Sequence, residues 1–245
     1  MPRIQTGSSP FDDSAYHAIS DERNSRHHDW KVELVIAIDG PAGAGKSSVA
    51  RAVAEELGFT YLDSGAMYRC VALTCLEWGA DPEKSGEATS TAESIEISFE
   101  SNAVLIDGVD VSDDLRTPRV TEAASKAAVH EGVRAAMVRE QGRLIAAGSY
   151  VAEGRDIGTV VSPDSPLKVF LTASPEVRAK RRAEQTGGDP DEILAAQLER
   201  DRRDTDREHG ALRAADDSVE IDTSDLSLEA VVGQVTSLAR DRGMV

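Results

Sequence analysis

Apolar positions along this chain follow two rhythms. Leu34 to Ile38 is a short unbroken apolar run, Tyr150 to Glu153 is another of the buried type, and Phe59 to Leu62, Leu167 to Leu171 and Val219 to Asp222 read as further short strands. Runs of this length without alternation read as strands covered on both faces, as in parallel sheets. Between them the apolar residues return at helical spacing. Ser48 to Leu57 carries Val49, Ala52, Val53 and Leu57 on one face and stops at Gly58, the place of a C-cap. Asp63 or Ser64 caps a helix that runs to about Trp78, and Thr117 to Ala147 reads as two helices. Ser174-Pro175-Glu176 opens another helix, Thr186 to Pro190 breaks it, and Asp191 to about Thr205 continues as a second one. The last helix spans Leu226 to Arg240, and Gly79 to Thr91 is expected to be a polar connector. A β-rich stretch interrupts this alternation: Ile95 to Phe99 and Ala103 to Ile106 joined by a turn containing Asn102, then Asp107 to Val111 as a further hairpin.

The turn after the first strand carries chemistry. In LVIAIDGPAGAGKS, residues Gly40, Gly45, Lys46 and Ser47 fit G-x-x-x-x-G-K-[ST], the phosphate-cradling loop, in its required strand–loop–helix setting. Glycines let backbone N–H groups turn toward one anion, and the helix N-terminus adds partial positive charge. Lys46 reaches the outer phosphates, and the Ser47 hydroxyl is placed for Mg²⁺. The residues from Gly40 through Pro41, Ala42, Gly43, Ala44, Gly45, Lys46 and Ser47 to Ser48 are therefore the expected triphosphate site. The fold expectation is a three-layer α/β core with a parallel sheet, of the phosphate-loop NTPase type, carrying an inserted subdomain with short antiparallel strands and a small arginine-rich lid. The core is placed at 32–80 and 148–245, the insert at about 81–147 and the lid at about 183–205. Residues 1–31 are polar and without periodicity and read as a flexible extension, in which His27, His28 and Asp29 lack a scaffold for a metal.

Charge sharpens the picture. The formal net charge is -17, which argues against a nonspecific nucleic-acid partner or an acidic membrane surface. Arginines nevertheless cluster between Arg178 and Arg213, so a local anion is expected there. Arg69 falls near the start of a mostly apolar helix and needs an anionic partner. Gly154-Arg155-Asp156-Ile157-Gly158 sits beyond the carboxyl end of a strand, where parallel sheets place ligands. Cys70 and Cys75 read as core filler in a reducing compartment. No apolar stretch reaches membrane-span length and no hydrophobic signal region is found, so a cytoplasmic protein is expected.

A phosphate loop alone fits a motor, a switch GTPase, a transporter ATPase or a small-molecule kinase. The N-K-x-D guanine signature is absent. Arginines after several strands, plus an arginine-rich flap, suit a kinase whose acceptor is itself a phosphate. Such an acceptor needs positive charge and no general base, because its oxygen is already ionised.

IDGPAGAGKSS, LDSGAMYR, LRTPRV, AASKAA, EGRDIGTVV, LKVFLTAS and ERDRRDTDR occur in an order that closely resembles bacterial cytidylate kinases, members of the nucleoside-monophosphate kinase family. The resemblance covers about Val32 to Arg240. It implies transfer of the γ-phosphoryl group of MgATP to CMP, and to dCMP; a monomer is expected. Ser125, Arg134 and Asp156 match positions that hold cytosine. Arg69, Arg155 and Arg207 match positions that grip the acceptor phosphate, and Arg200 matches a further phosphate contact of the closed state. Ser64 and Asp204 match positions near the acceptor phosphate and ribose. With Lys46, the arginines 69, 155, 200 and 207 form the expected catalytic set. Arg178 and Arg182 are expected to face the donor from the flap, and adenine is expected near the loop after Asp222.

Overall fold

The structure, a computed structural model, describes residues 34–100 and 103–245. The expected extension, with His27, His28 and Asp29, and the turn at Asn102 lie outside the described residues. Strands β1 (Val35–Asp39), β2 (Thr60–Asp63), β6 (Tyr150–Gly154), β7 (Leu167–Thr172) and β8 (Val219–Asp222) form one five-stranded sheet in the order β2-β6-β1-β7-β8. Every neighbouring pair is parallel.

Alternation along β1 feeds two cores. Ile36 and Ile38 pack with Val151, Val169 and Leu171 against helices α1 (Lys46–Leu57) and α8 (Leu228–Asp241). Val35 and Ala37 pack with Leu62 and Ala152 against α2 (Ser64–Trp78) and the helices beyond it. Burial on both faces is the reason β1 and β6 read as nearly solid apolar runs, whereas the edge strands β2 and β8 are partly exposed. Cys70 and Cys75 are buried in the second core as free thiols.

Between α2 and β6 the chain forms α3 (Ser85–Ser94), a three-stranded antiparallel sheet of β3 (Ile97–Glu100), β4 (Ala103–Ile106) and β5 (Val109–Asp110), and helices α4 (Pro118–Ala127) and α5 (Glu131–Ile145). Helix α3 corrects the expected polar connector over Gly79 to Thr91. Only Ala88, Thr91 and Ala92 of α3 are buried, so its sequence lacks an apolar stripe and tertiary contact supplies the stability. Helices α6 (Pro175–Thr186) and α7 (Pro190–Thr205) are the two arginine-rich helices. Ser174 and Asp189 cap them with side-chain oxygens, each followed by proline at the first helical position.

Register positions the site. Asp39 lies beside Gly154 on one flank and Phe170 on the other. The turn after β1 and the Gly154-Arg155-Asp156 turn therefore leave the sheet side by side, with Asp63 next to Glu153 one strand further out.

Candidate active site

The loop from Gly40 to Ser48 joins central strand β1 to α1. A Cβ on Gly40 would stand 2.1 Å from the Leu171 carbonyl oxygen, so only glycine lets the loop leave the sheet at this point. Gly43 and Gly45 adopt φ of +82° and +89°. Gly45 caps α1 without a side-chain hydrogen bond, which leaves the first N–H groups of the helix for an anion. Lys46 is buried and donates to the Pro41 carbonyl at 2.9 Å. Burial first, then Arg155 and Arg200, push its pKa down to about 7, with Glu153 opposing. The loop opens into a cleft of about 950 Å³ also lined by Arg69, Arg182, Arg200 and, after β8, Thr223 and Leu226.

Asp204 organises the arginines. Its carboxylate accepts from Arg155 Nε at 2.8 Å and from Arg207 Nη2, with Arg200 Nε 4.0 Å away. Burial opposes ionisation, but Arg155, Arg207 and Arg200 together hold its pKa below the usual value. In this structure both oxygens of Asp204 are taken up by arginines, a role beyond the expected proximity to ribose. Arg200 is itself pushed down to about 10 by burial and by Arg155. Arg69 is held separately, by Asp63 at 2.8 Å, and is a quarter exposed. The Nε atoms of Arg69, Arg200 and Arg207 are buried without a partner, so this cluster keeps donor capacity in reserve for an anion.

Arg134 from α5 and Asp156 from the turn after β6 form a buried ion pair. The Arg134 guanidinium also lies 5.8 Å from the ring centre of Tyr68. Burial raises the Asp156 pKa, and Arg134 and Arg207 oppose the rise. Ser125 on α4 is buried and its hydroxyl has no partner. Gly210, at φ +63°, runs so close to the pair that a Cβ there would stand 1.9 Å from Arg134 Nη2 and 2.4 Å from Asp156 Oδ2. Ser64 Oγ donates to the Glu153 carbonyl at 2.5 Å.

Three residues escaped the sequence reading. Asp39 accepts the N–H groups of Ile157 at 2.9 Å and Gly158 at 2.8 Å, one on each carboxylate oxygen. It thereby fastens the Arg155-Asp156 turn to the strand that carries the phosphate loop. Glu153 is buried, accepts from the Tyr61 hydroxyl at 2.5 Å and neighbours Ser47. Tyr68 lies against Arg134. A carboxylate inside an apolar strand run was the signal for the first two. Arg178 is buried and donates to the Ala42 and Ala173 carbonyls, with Asp201 as its ion-pair partner. Arg182 lines the cleft.

A phosphate loop at the carboxyl edge of a parallel sheet, facing a cleft rimmed by arginines from two capping helices, defines a phosphate-loop kinase. The profile described as cytidylate kinase matches residues 36–241, and the chain belongs to that family. It is 40% identical over 218 residues to the cytidylate kinase of Geobacter sulfurreducens, covering 85% of this chain and 94% of that protein. It is 46% identical over 219 residues to a bifunctional pantoate ligase/cytidylate kinase of Synechococcus sp. (strain CC9311), 85% of this chain but only 44% of that protein. The chain thus spans about half the length of this longer relative. Among solved structures, an uncharacterized protein from Eubacterium ventriosum shares the fold, with a TM-score of 0.51 at 15% identity over 85% of this chain and 99% of that one.

Proposed function

We propose that this protein transfers the γ-phosphoryl group of ATP to CMP, and to dCMP, with Mg²⁺ accompanying the donor. Family membership supports the reaction. The observation that carries the acceptor assignment is the buried Arg134–Asp156 pair beside the unpartnered Ser125 hydroxyl. A carboxylate accepts from the exocyclic amine of cytosine, and a guanidinium donates to its ring acceptors. Uracil reverses that pattern and sets its O4 acceptor against the carboxylate in place of the amine. Residues 81–147 supply Ser125 and Arg134 and form the acceptor-binding insert in this reading.

The Ser47 hydroxyl beside the Glu153 carboxylate is a hard oxygen set suited to Mg²⁺. When bound, the ion supplies positive charge to the phosphate oxygens. Lys46 and the backbone N–H groups of the loop hold the outer donor phosphates. Arg69, Arg155, Arg200 and Arg207 bring the acceptor phosphate against them and offset the charge of two anions. Helices α6 and α7 shut water out of the cleft. No side chain is needed as a base. The reading is of a cytoplasmic monomer without a nucleic-acid partner, for which the net charge of -17 is the support. Among the described residues no helix is long and apolar enough to cross a membrane.

An ADP-release assay with CMP, dCMP and UMP as acceptors tests the assignment. CMP and dCMP should turn over at least tenfold better than UMP. Equal turnover of UMP and CMP would overturn it.

A further inference from the structure

Arg178 is the most enclosed of the arginines on α6, and its contacts join three parts of the donor side. Nε donates to the Ala173 carbonyl at 3.1 Å, and Nη1 donates to the Ala42 carbonyl at 2.9 Å. Nη1 also meets Asp201 Oδ2 on α7 at 2.7 Å. The C=O and N–H of a trans peptide point in opposite directions. Holding the Ala42 carbonyl toward Arg178 therefore turns the N–H of Gly43 the other way, away from Arg178. Gly43 itself is packed tightly: a Cβ there would stand 3.0 Å from Arg178 Cβ and 3.1 Å from Gln197 Nε2 on α7. Asp201 uses one oxygen for Arg178, and its other oxygen is buried without a partner.

We propose that Arg178 is a positioning residue that sets the Ala42–Gly43 peptide for the donor phosphates, and that Asp201 makes this setting depend on where α7 lies. The proposal rests on the reading of Gly40 to Ser48 as the donor site. Movement of α7 withdraws Asp201 from Arg178 and loosens the peptide. Closure of α7 restores the contact and presents the loop ready-shaped. The lid helix thus acts on the donor loop from behind as well as from its cleft side.

The test uses the full chain and its variants Arg178→Lys, Asp201→Asn and the double variant. Lysine keeps the charge but cannot hold two carbonyls and a carboxylate in one plane. Arg178→Lys should raise KM for ATP, and Kd for a fluorescent ADP analogue, about tenfold while KM for CMP stays within about twofold. Asp201→Asn should raise KM for ATP about threefold, and the double variant should be no worse than Arg178→Lys because both act on one linkage. Equal rises in both KM values, an unchanged KM for ATP, or effects that multiply in the double variant would overturn the proposal. If Arg178→Lys melts below assay temperature, Asp201→Asn decides alone, and an unchanged KM for ATP overturns the coupling. Lys46→Ala run in parallel separates the two readings. Retained turnover in Lys46→Ala defeats the donor assignment, whereas lost turnover there with an unaffected Arg178→Lys defeats only the linkage.

Discussion

The proposed donor side is built mainly of backbone: glycines with positive φ, the open N–H groups at the start of α1, and one buried lysine. On the proposed acceptor side the groups are side chains carried by α2, α5, the turn after β6 and the end of α7, paired through Asp63, Asp156 and Asp204, with the unpartnered Ser125 hydroxyl of α4 beside them. The difference follows from what each side must recognise. Any triphosphate end can be held by N–H groups and a cation, which every chain can provide in a tight turn. Telling one base from another requires a carboxylate and a guanidinium in a defined arrangement, and these must be kept from collapsing when the site is free. Mutual ion pairing does that. On the proposed acceptor side the charges are therefore held as ion pairs, two of the three groups buried, whereas the proposed donor side offers open donors.

Asp156→Ala should produce the largest effect on this contrast. Removing the carboxylate leaves Arg134 buried without its partner and takes away the cytosine amine acceptor. The kcat/KM for CMP should fall by about 100-fold to 1000-fold, residual UMP turnover should fall much less, and KM for ATP should hardly move. Equal losses for CMP and UMP would mean that Asp156 only supports the fold. Asp204→Asn comes next. It removes the charge shared by Arg155, Arg207 and Arg200, so the arginines repel and spread. A fall of kcat by about 10-fold to 100-fold, with KM for CMP raised more than KM for ATP, is expected from steady-state kinetics. A purely donor-side effect would break the comparison.

The smallest expected effect lies at the seam between the two sides. Burial, partly offset by the Gly158 and Ile157 N–H groups, raises the Asp39 pKa from 3.8 to about 6. The folded state therefore holds that proton more tightly than the unfolded chain does. The resulting stability is fully present below pH 3.8 and is lost as pH rises through about 6. Asp39→Asn does not titrate and should lack this loss. In denaturant melts from pH 4 to pH 6.5, the wild-type protein should lose on the order of 2 kcal/mol relative to the variant. Parallel curves for the two proteins would show that Asp39 titrates normally and that the seam is not strained.

Much of this was readable along the chain. The apolar strands, the phosphate loop and the caps at Asp63 and Ser174 depend on neighbours within a few residues, so their signals are local. Helix α3 was not readable, because SGEATSTAES has no stripe of large apolar residues and is held by what packs on it. Arg178 and Arg182 look alike in the run RAKRR, yet one faces the cleft and the other lies behind the loop. Nothing within the run separates them, since their fates are set by Ala42 and Asp201, far away along the chain. Asp39 and Glu153 were passed over as strand ends for the same reason: their partners, Ile157, Gly158 and Tyr61, come from other strands and turns.

Residue order alone was enough to establish a parallel α/β fold with a phosphate loop, because backbone conformation and amphipathic period are short-range properties, while the kinase reading rested on the order of motifs along the whole chain. The grouping of Arg155, Arg200 and Arg207 on one carboxylate, the fastening of the Arg155-Asp156 turn by Asp39, and the placement of Arg178 behind the donor loop emerged only in three dimensions. Charge pairing acts between side chains that touch, and in this molecule those side chains are brought together by strand order, not by closeness in the chain.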